Sequence, residues 1–172
     1  MPFLLLLWRL LTLKSKAEDM PYSFFLLIFI LLANIAITTF SMHSPEISEI
    51  LGLKAAIVSA LASGASLWGM LRFKKLHLRF VQLWSAILAV DTICTGVAFC
   101  SSHVLGINSF SFLMGLLLSG WAWWVSVQFL VQAFGIKPWG AMIISVLMQF
   151  ASVMALFVFL PELAEILNKA NS

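Results

Sequence analysis

One carboxylate, Asp91, sits near the middle of an apolar run from Val81 to Cys100, and no other side chain in the sequence is better placed to do chemistry. At about 1.5 Å of rise per residue it lies roughly 15 Å from the Val81 end, half the depth of a hydrocarbon core about 30 Å thick. Insertion scales place an Asp at that depth at roughly +2.5 to +3.5 kcal/mol, so the acid has to be neutral, paired or turned toward a polar interior. Asn34, Ser63 and Gln149 fall near the same level of neighbouring apolar runs, which implies a polar layer at mid-depth. Such a layer can serve as a proton or cation relay, or as a small polar pocket in which Asp91 meets a cationic substrate. It can equally be packing glue, a protonated Asp91 bonding to Asn34 or Gln149 across helices for about 1 kcal/mol. No second intramembrane charge and no broken-helix signature accompanies Asp91, which favours the packing role.

Two other groups of residues carry chemical potential. His43 and Glu46 are three apart, as are Cys100 and His103, and Glu49 and Glu162 fall on the same side; imidazole, thiolate and carboxylate at such spacings suit zinc or copper. The spacing is loose and no paired-cysteine motif supports it, so ordinary loop polarity is the preferred reading and no cofactor is expected. Arg72, Lys74, Lys75 and Arg79 crowd one short connection and suit anionic lipid headgroups or a protein partner, at about 1 kcal/mol per basic residue near an anionic surface. The same residues also serve as a topology signal alone. Nucleophile triads, phosphate loops and helical His-Glu zinc motifs are absent from the sequence, and a non-enzymatic protein is expected.

The elements that must position these residues are set by composition. Of 172 residues, 62% are hydrophobic and 10% charged, with a mean hydropathy of +1.06, which excludes a soluble domain of ordinary make-up. The net charge of +3 comes from basic residues scattered over short loops, with no aromatic-interleaved stripe, so nucleic acid is not a partner. Cys94 and Cys100, six apart on one helix, point in different directions and are not expected to pair.

The expected fold is all-α, a single polytopic membrane bundle over 1–172. An amphipathic stretch at 2–16 puts Leu4, Leu7, Trp8 and Leu11 opposite Arg9, Thr12 and Lys16, the pattern of a helix lying in the membrane surface. Five spans follow at 22–40, 54–71, 81–100, 111–134 and 141–160, with an amphipathic tail at 161–172. Pro21 is placed to start the first span. The second is rich in small residues, with rows Ala56–Ala60–Gly64, Ser59–Ser63 and Ala65–Gly69, and is expected to let neighbouring backbones approach closely. Trp121, Trp123 and Trp124 in the fourth span lie too deep for an interfacial belt and are expected to pack against it. No internal repeat is present, nor a cleavable leader pattern.

Eight basic residues fall on the side of the N-terminal segment and two on the other, which places the N-terminus in the cytoplasm and the C-terminus outside. Five closely spaced spans in this orientation, preceded by an amphipathic stretch running into Glu18, Asp19, Met20, Pro21, Tyr22 and Ser23, resemble small bacterial members of the Yip family of five-pass membrane proteins. The resemblance implies the fold and a bacterial inner membrane. The family's cytosolic Asp-Leu-Tyr-Gly-Pro motif is missing from these residues, so a trafficking role is not implied. The sequence favours a scaffold or accessory subunit, with membrane lipid and a protein partner or second copy as its contacts. A small transporter or ion-coupled permease centred on Asp91 is the alternative. A water-reachable cavity beside Asp91 would favour transport, and a dry, hydrogen-bonded Asp91 a scaffold.

Overall fold

The computed structural model describes residues 3–42, 47–106 and 109–162. It is all-helical among these residues: α1 (Phe3–Leu11), α2 (Phe24–Ser41), α3 (Glu49–Phe73), α4 (Phe80–Leu105), α5 (Ser109–Phe134) and α6 (Pro138–Phe159), with single 3-10 turns at Ala17–Asp19 and His77–Arg79. Helices α2 to α6 are each long and apolar enough to cross a membrane. Large apolar side chains such as Phe25, Phe29, Leu117 and Phe150 are exposed along them, as a lipid-facing exterior requires and a soluble protein would not tolerate.

The helix ends follow local chemistry. Ser23, rather than Pro21, caps α2, its hydroxyl accepting from the Leu26 amide at 3.3 Å; Ser48 does the same for α3 through the Leu51 amide, again at 3.3 Å. Because of that cap α3 begins five residues before the expected 54, and its last turn closes with the Leu76 amide donating to the Leu71 carbonyl at 2.8 Å. Gly135, at φ 62°, ends α5 in the left-handed region that costs a glycine little, and Pro138 opens α6 three residues earlier than expected.

The five long helices form a ring in the order α2, α4, α5, α6, α3, closing back on α2, with α3 also touching α4 across it. The eight basic residues counted above mark one end of this ring, called the basic end below. Packing is uneven along the axis. The large fully buried side chains, Phe129, Leu67, Leu71, Leu83 and Leu130 among them, all lie in the half nearer the basic end, while among the described residues the far end holds a small cluster around Leu51, Ala55 and Leu160.

The first helix departs from the expectation of a surface helix. It is helical only to Leu11, and Leu13 takes a left-handed φ of 56°. Its buried residues are Leu6 and Leu10, one turn apart, packed with the bundle core, whereas Trp8 is exposed. The helix lies against α4, and the Leu11 carbonyl accepts from Trp121 Nε1 at 3.1 Å. Behind it Gln82 Nε2 donates to the carbonyls of Glu18 (3.1 Å) and Met20 (2.9 Å), and Arg79 pairs with Glu18, so the N-terminal segment is fastened to α4.

Candidate functional site

The inner walls of the ring enclose a cavity of about 320 Å3 that draws residues from all five spans. Asn34, Ser63, Asp91 and Gln149 all line it. Small side chains make the space. Ala56, Ser59, Ala60 and Ser63 face it from α3, Ser119, Ala122 and Ser126 from α5, and Ser145 and Ser152 from α6, opposite Asn34 on α2 and Asp91 on α4. A bundle with leucines at these positions would close on itself; with serines and alanines it leaves room for on the order of ten waters at about 30 Å3 each.

The polar centre is organised by Asn34, which is buried. Its Nδ2 donates to Asp91 Oδ2 at 2.9 Å and to Thr92 Oγ1 at 3.1 Å. Thr92 spends its own proton on the Leu88 carbonyl at 2.6 Å, so its oxygen can only accept, which fixes the amide with nitrogen toward Asp91 and Thr92. Asp91 is therefore an acceptor in this contact, not the donor that the packing reading supposed. Gln149 lines the same cavity, without a hydrogen bond to Asp91. Asp91 itself remains exposed although protein surrounds it, because what it faces is the cavity.

Several lining hydroxyls turn their protons back into their own helices: Ser63 to the Ala60 carbonyl (2.8 Å), Ser126 to Ala122 (2.9 Å) and Ser152 to Met148 (3.1 Å). What they show the cavity is lone pairs. The basic-end floor is apolar: Leu67, Leu130 and the indole of Trp84, which lies against Gly64. At Gly64 the closest approach is made by the Trp84 side chain, not by the tryptophans of α5, and at Gly52 by the Thr39 backbone, while α6 and α2 lie alongside α3 as the small residues allow. Of those three tryptophans, Trp121 is exposed and holds Leu11, and Trp123 lines the cavity. Gly69 and Gly115 have nothing within 4 Å of an added Cβ, so both face open space.

The other candidates separate. His43 and Glu46 lie outside the described residues; Cys100 is exposed, and His103 stacks on Phe99 with ring centroids 4.6 Å apart. Glu49 and His103 both line a far-end groove of about 760 Å3 between α2, α3 and α4. Among the described residues no three metal-ligating side chains converge. In the basic connection Lys74 and Lys75 are exposed, Arg72 lies over the Trp68 ring at 5.2 Å and Arg79 is paired with Glu18, so the four do not form one patch of free cations. Thr38, Thr95 and Ser126 also line the cavity and carried a readable signal: Thr38 and Thr95 follow Asn34 and Asp91 by one turn, and Ser126 follows Ser119 by two. Compared with known proteins, the chain matches no protein family, no curated protein and no solved structure.

Proposed function

We propose that this multi-pass membrane protein is a small non-enzymatic transporter that takes a polar solute into the ring cavity, with Asp91 as the group that meets it. The observation that carries this reading is an Asp91 side chain exposed to a cavity at the centre of the bundle. A scaffold needs its intramembrane acid only as a dry, satisfied contact, and would be better served by filled space at mid-depth. The serines and alanines facing Asp91 from three helices support a cavity kept open for an occupant. The thinner packing of the far half, whose buried cluster is confined to Leu51, Ala55 and Leu160 among the described residues, supports access from the far end, the basic end being the sealed side.

The basic end is then cytoplasmic, on the charge asymmetry of the loops, and the bacterial inner membrane is what the Yip-like resemblance implies. Reporter fusions after His77 and Lys137 are then expected to read cytoplasm and fusions after Met42 and Gly106 the far side. Removing Arg72, Lys74, Lys75 and Arg79 together should scramble that pattern. A cytoplasmic signal after Gly106 in the unaltered chain would overturn the orientation.

Transport requires that the cavity be reached from both sides in turn. Ser63→Cys, made with Cys94→Ala and Cys100→Ala, is expected to react with a small uncharged sugar-bearing thiosulfonate that does not cross lipid, in both right-side-out and inverted vesicles. Reaction from one side alone would leave a fixed vestibule and defeat the transport step. No reaction from either side would remove the cavity reading itself.

A further inference from the structure

We infer that the occupant of the cavity is a small organic monocation, an ammonium head on a short apolar body; this rests on the cavity being the solute site. Four features of the lining select that chemistry. First, the polar wall beside the acid presents acceptors. Asn34 uses its Nδ2 on Asp91 and Thr92, and Ser63, Ser126 and Ser152 donate to their own helix carbonyls, so carboxylate, amide and hydroxyl oxygens face the space there. These oxygens satisfy the N–H groups of a cation, while Ser59, Ser145, Thr38, Thr95 and Gln149 keep donors for its other polar atoms.

Second, the charge is single and uncompensated. Among the described residues no Lys, Arg or His lines the cavity, and Asp91 is its one carboxyl. One carboxylate away from water is balanced by one positive charge, and a second positive charge would be left buried and unpaired.

Third, the space is wrong for a bare metal ion. A dehydrated cation needs several oxygens converging at about 2.0–2.6 Å, whereas 320 Å3 is room for a molecule, and no metal-ligand cluster converges among the described residues.

Fourth, the cavity is graded along its length. Hydroxyls and Asp91 occupy the middle and the far-end side, and Leu67, Trp84, Leu130 and Met148 form an apolar floor and wall. Trp84 precedes Asp91 by seven residues, two turns or roughly 10 Å along α4. A ligand with its ammonium on Asp91 can therefore lay a hydrocarbon or aromatic body of that length toward the floor, with the rings of Trp84 and Trp123 beside it.

The test reads charge selectivity on the Ser63→Cys protein in vesicles, from whichever side the uncharged sugar reagent reacts. A trimethylammonium-ethyl thiosulfonate is expected to label at least about tenfold faster than the sulfonate-ethyl reagent of the same length, since a unit charge a few ångströms away inside a protein is screened far less than in water. Adding Asp91→Asn should bring the two rates within about twofold, the charge that discriminates having gone. Phenethylammonium should slow labelling saturably, and 2-phenylethanol, the uncharged analogue, should not. Equal rates for the two charged reagents, with the sugar reagent still reacting, would overturn the cation assignment and leave the cavity as a site for an uncharged solute. Failure of all three reagents would instead defeat the cavity reading on which the inference stands.

Discussion

Gly64→Leu should prevent the bundle from assembling. A Cβ built on Gly64 would stand 2.5, 2.8 and 2.9 Å from three carbons of the Trp84 indole, closer than real Cβ contacts come. The indole meets the Phe80 ring, centroid to centroid at 5.1 Å, and has to shift toward the cavity it borders to make room. Overpacking of an interior costs about 1–3 kcal/mol, and a leucine against this indole belongs in that range. The expected readout is a detergent-solubilised protein that aggregates, or one whose melting midpoint falls by about 2–4 °C per kcal/mol lost. Gly69→Leu, with nothing within 4 Å of its Cβ, is the matched control and should behave as the unaltered chain does. Trp84→Ala combined with Gly64→Leu should recover part of the loss, since the two share one space. Equal damage from Gly64→Leu and Gly69→Leu would show that leucine on α3, not contact with Trp84, is the cause.

Asp91→Asn should leave a folded, inserted protein without function. The amide has the shape of the acid and still offers an oxygen to Asn34 Nδ2, so the 2.9 Å contact survives and stability should change by no more than about 1 kcal/mol. What disappears is the negative charge and the capacity to ionise. Solute-dependent flux in proteoliposomes should fall by two orders of magnitude or more, the scale of a lost charge pair at about 1.4 kcal/mol per tenfold. Asn34→Leu should do the reverse, weakening the fold by removing the donor that holds Asp91 and Thr92 together, at about 1–3 kcal/mol for the groups left unpaired. An Asp91→Asn protein that stays folded and keeps its flux would return the protein to the scaffold reading.

The five spans and the level of the polar layer were legible because they depend on one-dimensional quantities, runs of apolar residues and rise per residue. Asn34 and Asp91 could be placed at one depth by counting, and they meet. The ring order could not be read. In lipid the outer faces of α2 to α6 and most of the contacts between them are apolar, so polar residues mark which side faces inward but not which helix neighbours which, and loop lengths allow more than one order. The small residues in α3 do admit close neighbours, but the cavity they also line was not legible, for a related reason. Ala56, Ala60 and Gly64 can admit a backbone, a ring or a cavity, and only the position of Trp84 on a non-adjacent helix decides. For α1 the apolar positions were seen but the face was not: with leucines at 4 to 7, 10 and 11, several stripes score alike, and burial of Leu6 and Leu10 follows from α4.

The seating of α1 sets an order of events during synthesis. Leu11 leaves the ribosome 110 residues before Trp121, whose indole it will accept, and at about 5–20 residues per second that is a wait of roughly 6 to 22 seconds. Until Phe80 is made nothing of α4 is there to cover Leu6 and Leu10, and a nine-residue helix is too short to hide them by spanning. The membrane surface is the one apolar medium within reach, and Arg9, Lys14 and Lys16 suit its headgroups. The amphipathic pattern at the start of the chain thus describes the nascent protein, and the buried leucines describe the finished one. Closing α1 over α4 and Trp121 therefore has to wait for α5, although Leu11 of α1 is made 110 residues before that indole.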